Sequence, residues 1–562
     1  MTVLAQLLAT ADGVLARRES VEPALALSLG RPVHGLATLD PARQQADAAF
    51  FQEARTHLAG LAATELTPAQ DGLRRALMVD LTHRIDGVAF RNLDFIVAPY
   101  TGGDLHAEAQ QALAAQPLTC KADIEAYAAL VRDYARLARE MLAHTTQQQA
   151  QGLYLAAPAL PAARATLRDV MDALPAAVRP ADARLTALGP AAREALQGTL
   201  AALLHRELLP PLQQLASLLG DACAAHAPRG VGLGQYPGGA ACYRYLARRH
   251  ADCTLEPAEI HRIGLDTLDR LRAVKDSLRA TLMPGMAADD FDCLVQNDPR
   301  WKATTAAEVE ACFTGHMQRL EPLLPNWFGR LPRNPWAVTR ANPAFEGGMT
   351  FGYFQRATPT DPVGRYRYNG SDPGARSLIG AAHLIYHELL PGHHLQLSLQ
   401  GQAQMVHPLQ SNLFSTATIE GWAVYSSELA CEMGAITGFD LYGHAQMQSF
   451  MAARLVVDSG LNAMGWTLER ARAFMRAHTV ESPSVIDSEL LRYSTDIPAQ
   501  ALAYELGHIA INKLRQDAQQ RLGTTFDVRS FHDALLVNGG YPLPVLADQI
   551  DHWVVASSNH RP

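Results

Sequence analysis

Residues 382–396 constrain this chain more than any other stretch, because an apolar helical run there contains metal-binding side chains and a helix breaker. A divalent metal held by neutral imidazoles, with a carboxylate nearby to accept a proton from water, needs side chains of these types. A single histidine in an apolar helix is usually a core residue, but this combination favours a metal site. The polar members are His383, His387, Glu388, His393 and His394, and Pro391 lies among them.

The spacing of these histidines differs from the common zinc-peptidase motif, His-Glu-x-x-His, whose two histidines lie four residues apart on one helix. Pro391 occupies the position of the second histidine. On a regular helix, His393 would point about 120° away from His387, and His394 would lie roughly 10 Å further along the axis. Neither side chain could share a metal with His387 unless the helix is interrupted.

Pro391 and Gly392 provide the means of interruption. The proline cannot donate a hydrogen bond to the carbonyl four residues earlier, so the helix must kink or bulge, and the glycine permits the chain to loop out. A two-residue bulge would return His393 to the ligand position, whereas a bulge of nearly a full turn would return His394. We therefore predict His387 and His393 as metal ligands, with His394 as the alternative to His393.

The apolar segment 416–428 is expected to supply a third ligand. A catalytic metal with two histidine ligands needs another protein ligand and an open position for water. Glu420 follows His387 by 33 residues in surroundings where an unpaired carboxylate would be costly. We predict Glu420 as a ligand and Glu428 as a supporting or solvated acid. Glu388 is predicted to be the general base.

Composition limits the classes of partner. The chain of 562 residues has 48% hydrophobic and 19% charged residues, as in ordinary soluble globular proteins. A formal net charge of -8 and the lack of a basic stripe argue against a nucleic-acid partner. No apolar run approaches the roughly 20 residues of a membrane span. Without an evident signal peptide, and with seven scattered cysteines, a cytoplasmic location is expected.

Helical periodicity dominates the sequence. It predicts an N-terminal helical region, 1–230, and a catalytic helical region, 231–562, together forming one continuous two-lobed domain. A proline with acids around it predicts the start of a long helix near residues 256–259. The Pro/Ala-rich stretch 157–180 is predicted to connect helices.

A small sheet is predicted just before the metal-binding segment. The stretch 322–343 is rich in proline and tryptophan and is predicted to be a loop-rich passage. The alternating runs 349–354 and 365–369 predict two strands of a hairpin-like sheet. The edge of such a sheet can pair with an extended peptide, although the hairpin could equally be structural. Tyr366 and Tyr368 are accordingly predicted to contact substrate.

The sequence resembles a known family. HELLPGHHLQ at 387–396 and EGWAVY at 420–425 resemble the motifs of a bacterial domain-of-unknown-function family, number eight-eight-five, which is grouped with zinc-peptidase-like proteins. The stretches 255–265, 492–507 and 526–543 are similar to other segments of that family, so the resemblance covers nearly the whole chain.

The resemblance implies a mainly α, gluzincin-like metallopeptidase fold with a small β-sheet flanking the active-site helix. It also implies one zinc ion per chain, held by the two motif histidines and Glu420, with Glu388 as the base. Asn462 stands where the family usually has histidine, which puts a role of that histidine in substrate contact in doubt, and Ala499 replaces a usual glycine. The lipoprotein leader common among relatives is missing, in agreement with a cytoplasmic location.

These observations together predict a zinc-dependent metallopeptidase acting on peptides or oligopeptides. Tyr504 and His532, in the family-like C-terminal segments, carry donors that could stabilise the oxyanion. Arg492 could hold a substrate carboxylate as a fork, and His394 is also predicted to contact substrate. Two alternatives are a zinc-dependent amidase or esterase acting on a small molecule and a non-catalytic metal-containing binding protein.

Overall fold

A computed structural model describes residues 2–343, 346, 351–358, 361–537 and 539–559. Among these residues the chain forms 23 α-helices and one three-stranded sheet, which confirms the mainly α prediction. Contacts between residues divide it into two compact units, described separately below.

The first unit comprises residues up to Glu65, Leu77–Cys242 and Ser494–Pro498. Its longest helix, Lys121–Ala150, begins with a capping box in which Asp123 accepts from the backbone of Cys120. Tyrosine, leucine, valine and alanine on one face of this helix enter a core from which water is excluded. The helices from the N-terminus onward are α1 Val3–Glu19, α2 Pro23–Ser28, α3 Pro41–Ala59, α4 Pro68–Gly87, α5 Pro99–Ala115, α6 Lys121–Ala150, α7 Leu160–Val178, α8 Pro190–Leu203, α9 Leu209–Leu218, α10 Asp221–His226 and α11 Gly239–Ala251, of which α4 and α11 contribute residues to both units.

The second unit comprises Leu66–Ala76, Tyr243–Tyr493 and Ala499 onward. Its main core is built from aromatic and aliphatic side chains of several of its helices and of the sheet. The helices are α12 Pro257–Leu282, α13 Ala288–Asn297, α14 Ala306–Leu320, α15 Ala381–Glu388, α16 His393–Gln402, α17 Thr416–Glu432, α18 Phe439–Ala463, α19 Leu468–His478, α20 Pro483–Leu491, α21 Leu502–Leu522, α22 Val528–Leu536 and α23 Leu543–Asn559.

The sheet belongs to the second unit and has the strand order β1-β3-β2. Strands β2, Gly352–Gln355, and β3, Gly364–Tyr368, are antiparallel, as the hairpin prediction requires. Residues 349 and 350 of the predicted first strand lie outside the described residues. Strand β1, Trp336–Arg340, pairs in parallel with β3 and lies inside the predicted loop-rich passage 322–343, where no strand was predicted. Its apolar alternation is too short to stand out from the prolines around it.

Two helix predictions had different outcomes. The start of a long helix near residues 256–259 is confirmed by α12, Pro257–Leu282, with a capping box formed by Glu256 and Glu259. The stretch 157–180 is not a connection, because α7 occupies Leu160–Val178 and contains Pro175. Burial of Leu167 and Leu174 in the first core stabilises this helix despite the proline.

Within the described part of the chain, no helix is both long enough and apolar enough to cross a membrane.

Candidate metal centre

The candidate metal-binding segment, residues 382–396, folds as parts of two helices rather than as one bulged helix. Helix α15 ends at Glu388, and α16 begins at His393 after a non-helical turn. A Cβ on Gly392 would lie 1.8 Å from the carbonyl oxygen of His387, so only glycine can occupy this point of close approach. The expected bulge is therefore a complete break. The four residues of the turn reverse the chain enough for His393 to face His387.

Three side chains converge at this break. The Nε2 atoms of His387 and His393 lie 3.4 and 3.5 Å from the same Oε2 atom of Glu420 on α17. All three prospective ligand atoms lie within 4.8 Å of one another. Zinc bonded to nitrogen and oxygen at about 2.0 to 2.2 Å has tetrahedral ligand separations of about 3.4 Å. The spacing of the ligand atoms thus suits a tetrahedral zinc site.

The charge states of His387 and Glu420 suit a cation. Although burial lowers the pKa of His393, Glu420 and Glu388 raise it above its usual value, so this imidazole would give up its proton to bind an ion. Burial lowers the pKa of His387 to about 4, so its imidazole is neutral and has a free lone pair. Burial alone would raise the pKa of Glu420, but the imidazoles of His387 and His393 outweigh it and hold this pKa well below its usual range. Oε2 of Glu420 is buried and accepts no hydrogen bond from a described residue. A metal ion would satisfy this otherwise costly oxygen.

Glu388 lies next to the triad without belonging to it. Its carboxylate accepts a hydrogen bond from the backbone N–H of Phe354 on β2. Burial raises the pKa of Glu388 to about 7, an effect that the nearby His393 partly offsets. A carboxylate with this pKa can accept a proton and release it again near neutral pH.

His394 points away from the three ligand atoms. Its side chain is fully buried, with Nε2 3.0 Å from the carbonyl oxygen of Asn334 and Nδ1 3.4 Å from Oγ of Ser398. Of the two alternatives for the second ligand, the structure brings His393 to His387. The buried ring of His394 has no surface left for the substrate contact that the sequence predicted.

Tyr504 on α21 lies beside the triad, as the oxyanion hypothesis requires. Its ring stacks against His387 with a centroid separation of 6.1 Å. The guanidinium of Arg454 lies 4.5 Å from the centre of the Tyr504 ring. Burial raises the pKa of Tyr504, so the phenol stays protonated at neutral pH.

Arg492 is near Tyr504 but is already engaged. Its Nη2 atom donates to Gln500 at 2.6 Å and its Nη1 atom donates to Glu489 at 3.3 Å. Glu489 also accepts from Arg454 at 3.0 Å. The expected carboxylate fork is therefore largely used within the protein. Sequence reasoning missed Arg454 and Glu489, although a lone arginine inside the apolar α18 is a usable signal of a buried ion pair.

The structure does not bring His532 into contact with the candidate ligands, although the sequence predicted a catalytic role for it. Nδ1 lies 2.8 Å from the carbonyl oxygen of Trp327, and Nε2 lies 2.8 Å from the hydroxyl of Tyr425. Its ring also stacks on Phe328 at 4.9 Å. Both ring nitrogens are thus occupied inside the core. The histidine joins α17 to α22 and has no donor left for an oxyanion.

Tyr366 and Tyr368 both belong to β3 and are almost completely buried. The hydroxyl of Tyr368 donates to the carbonyl oxygen of Ala306 at 2.9 Å. The hydroxyl of Tyr366 has no hydrogen-bond partner among the described residues. Both tyrosines line a cavity of about 430 Å³, so their predicted role in substrate contact stays a prediction.

Helix α17 holds the broken segment in place through contacts that the sequence did not reveal. The indole N–H of Trp422 donates to the carbonyl oxygen of Pro391 at 3.0 Å. Ser426 donates to the carbonyl oxygen of Tyr386 at 3.1 Å. These bonds attach the turn and α15 to the helix that carries Glu420. Such bonds around ligands orient them and fix their separation.

Two glycines bring Glu420 and Tyr504 to the same site. A Cβ on Gly421 would lie 2.4 Å from the backbone of Gly507, and one on Gly507 would lie 2.0 Å from the carbonyl oxygen of Ala417. Helices α17 and α21 therefore touch backbone to backbone. Glu420 precedes Gly421 directly, and Tyr504 lies about one helical turn before Gly507, so both side chains are close to this contact.

The remaining positions noted in the sequence are structural. Glu428 pairs with His508 at 2.6 Å and is not a ligand of the triad. Asn462 is fully buried and donates to the carbonyl oxygen of Tyr493 at 2.9 Å. Ala499 has φ of +68°, in the left-handed region that glycine adopts most easily, which explains why glycine is usual there.

Comparisons with known proteins agree with this architecture. A family model described as "Bacterial protein of unknown function (DUF885)" matches residues 23–550. A solved structure from Colwellia psychrerythraea, described as a "putative lipoprotein", has a TM-score of 0.84 and 24% identity, covering 99% of this chain and 100% of that one. A "putative lipoprotein of unknown function" from Shewanella oneidensis has a TM-score of 0.71 and 15% identity, with coverages of 98% and 99%. The similarities to the two solved structures show the fold alone. No curated protein matches.

Proposed function

The chain belongs to the bacterial DUF885 family, whose function is unknown, and we propose from its own site that it is a zinc-dependent hydrolase of peptide bonds. The observation that carries this proposal is the convergence of His387, His393 and Glu420 with a separate carboxylate, Glu388, beside them. A metal with only a structural role needs no such base. Three protein ligands leave one tetrahedral position for water, as in catalytic zinc sites.

His387, His393 and Glu420 would hold the ion. Zinc bound there would polarise the scissile carbonyl and lower the pKa of a water molecule to about 7. The chemistry expected of the ion therefore matches the hydrolytic reaction, and no other cofactor is required.

Glu388 is the proton carrier in this proposal. Its carboxylate accepts the proton of the attacking water and then donates it to the leaving amine. The hydrogen bond from the N–H of Phe354 keeps the carboxylate oriented, and its pKa near 7 makes both transfers accessible. Tyr504 is the donor for the developing oxyanion, because its phenol is protonated and adjacent to His387.

The first experiment measures zinc content and peptide hydrolysis in the same samples. Zinc is determined by elemental mass spectrometry in the wild type and in His387→Ala, His393→Ala, Glu420→Ala and the matched control His394→Ala. We expect about one zinc per chain, lost in the first three variants and kept in His394→Ala.

Activity is then tested on a mixture of short peptides and on simple esters, with Glu388→Gln as the catalytic variant. We expect peptide hydrolysis in the wild type and a loss of at least about 100-fold in Glu388→Gln with zinc retained. Cleavage of esters alone would refute the peptidase proposal in favour of a small-molecule hydrolase. A wild type that binds no zinc would refute both.

The location of the chain decides which peptides it meets. The sequence predicts the cytoplasm, and this stays a prediction. The two solved neighbours are described as putative lipoproteins, which supports a non-cytoplasmic location as the alternative for this chain. Fractionation of the producing cell, with an antibody against the chain, distinguishes the two locations.

A further inference from the structure

A cavity of about 430 Å³ lies next to the candidate metal centre, within the second unit. Ala381 and Leu384 of α15 form part of its wall, and Tyr366 of β3 forms another part. Leu384 precedes Glu388 by one helical turn, which corresponds to about 6 Å along the helix axis. A substrate bound at Glu388 can therefore extend into this cavity.

The described lining of the cavity carries three cations and one acid. The cations are Arg376, Arg476 and Lys302, and the acid is Glu481. None of the three cationic side chains forms an ion pair or hydrogen bond with a described residue, whereas the buried Arg454 elsewhere in the unit is paired with Glu489. This excess of unpaired positive charge contrasts with the net charge of -8 of the whole chain. The cavity is thus suited to an anionic group.

Arg376 is the lining cation that acts electrostatically on Tyr366. Arg376 is half-buried. Burial raises the pKa of Tyr366 most, the carboxylate of Glu388 raises it further, and the charge of Arg376 lowers it. The tyrosine therefore lies within electrostatic range of both groups. Its buried hydroxyl has no partner among the described residues, which leaves a second donor at the cavity wall.

Two acids lie within electrostatic range of Arg376. Glu346, outside the described lining, is paired with Arg340. The other acid is Glu481 of the lining. It forms no ion pair with Arg376 in the described structure, and burial raises its pKa to about 7. The carboxyl group is therefore partly neutral under physiological conditions. Two of the cations, Arg376 and Lys302, are themselves half-buried, where an unpaired charge gains most from binding an anion.

We propose that Arg376 binds a carboxylate of the substrate in this cavity, which makes the preferred substrates short peptides with a carboxylate close to the cleaved bond. The inference rests on the proposed peptide hydrolysis. Because Leu384 at the cavity wall lies about 6 Å along α15 from Glu388, the carboxylate would be at least about two residues from that bond. Arg492 is less suited, because Gln500 and Glu489 already engage its guanidinium. The carboxylate can be that of the peptide C-terminus or of an aspartate or glutamate side chain.

The test compares two pairs of peptides with the zinc-loaded protein. The first pair is acetyl-pentaalanine with a free C-terminal carboxylate and the same peptide as the C-terminal amide. The second pair consists of acetylated amide peptides with glutamate or glutamine at the penultimate position. We expect kcat/KM to be at least about 10-fold higher for the carboxylate member of one pair, because an arginine–carboxylate bond is charge-assisted. The pair that shows the preference identifies the source of the carboxylate.

Variants then assign the preference to Arg376. The ratio should fall to about 1 in Arg376→Gln and take an intermediate value in Arg376→Lys, which keeps a charge without the fork. It should stay unchanged in Arg272→Gln, since Arg272 is largely exposed and outside the cavity. Equal rates within both peptide pairs, or an unchanged ratio in a folded Arg376→Gln, would overturn the inference. The wild-type comparison decides the matter even if a variant does not fold.

A binding measurement separates failure of this inference from failure of the proposed function. If the zinc-loaded wild type cleaves no peptide, the proposed function fails, and titration calorimetry with acetyl-trialanine and its amide still tests the cavity. Measured on Glu388→Gln, the acid should bind at least about 10-fold more tightly, and Arg376→Gln should remove the difference. Equal affinities would overturn the carboxylate site.

Discussion

Gly392→Ala tests whether the break between α15 and α16 creates the metal centre. The backbone of Gly392 has φ of −76° and ψ of −132°, so φ itself is open to residues other than glycine. The restriction is steric, because a Cβ would lie 1.8 Å from the carbonyl oxygen of His387 and 2.5 Å from that of Tyr386. Reaching even a tight contact of 3.0 Å requires a backbone displacement of about 1.2 Å.

The displaced residue, Gly392, directly precedes the candidate ligand His393 and packs against the backbone of the candidate ligand His387. Metal sites tolerate deviations of about 0.2 Å in ligand distance, and a misplacement of about 1 Å in a catalytic site costs about 100-fold in rate. We therefore expect Gly392→Ala to bind zinc about 100-fold more weakly than the wild type. Its activity on peptides at limiting zinc should fall in parallel.

The assay is competition for zinc with a chelator of known affinity, followed by optical detection of the chelator. Gly401→Ala is the matched control, because Gly401 lies in α16 and its Cβ would meet only Nη2 of Arg356 at 3.5 Å. Alanine in a helix costs less than glycine by up to about 1 kcal/mol, so this control should keep its zinc and fold normally. Zinc binding by Gly392→Ala within about threefold of the wild type would refute the steric reasoning.

Three further outcomes are expected. Tyr504→Phe should keep its zinc while kcat on a cleaved peptide falls about 100-fold, because the oxyanion donor is lost, and an unchanged kcat would assign the tyrosine to packing. Trp422→Phe removes the donor to the carbonyl oxygen of Pro391, so calorimetric unfolding should show a loss of about 1–3 kcal/mol, and chelator competition should show up to about 10-fold weaker zinc binding. His508 is held charged by Glu428 and Glu505: although burial lowers its pKa, the two acids raise it to about 10. Because this pKa lies above the unfolded value of 6.5, the stabilisation is fully present below pH 6.5 and is lost as the pH rises towards 10, with an upper limit of about 5 kcal/mol. Melting temperatures between pH 6 and 10 should therefore fall more steeply in the wild type than in His508→Gln, and parallel curves would contradict the linkage.

Much of the site was accessible from local sequence. His387, Glu388 and His393 lie within seven residues of one another, and proline and glycine between them required an interruption of the helix whatever the rest of the chain does. Family resemblance and the cost of burying an unpaired acid pointed to Glu420. The helical class and the long helix α12 likewise followed from periodicity and capping, which act over a few residues.

Contacts between distant segments were decided only by the tertiary structure. His532 had suitable chemistry, yet Trp327 and Tyr425, both more than 100 residues away, use its two nitrogens. Arg454 gave no sign that it would lie over Tyr504. The parallel pairing of β1 with β3 was equally hidden by the short length of each strand.

The turn between α15 and α16 also depends partly on local sequence and partly on tertiary packing. Its sequence required an interruption, but a bulge and a complete break were both compatible with Pro391 and Gly392. The break is held by Trp422 from another helix and by close packing on the carbonyl of His387. Local sequence thus determined which residues could bind a metal, because ligand chemistry and backbone restrictions belong to the residues themselves. Packing between helices determined which of them meet, because only that packing fixes their positions in space.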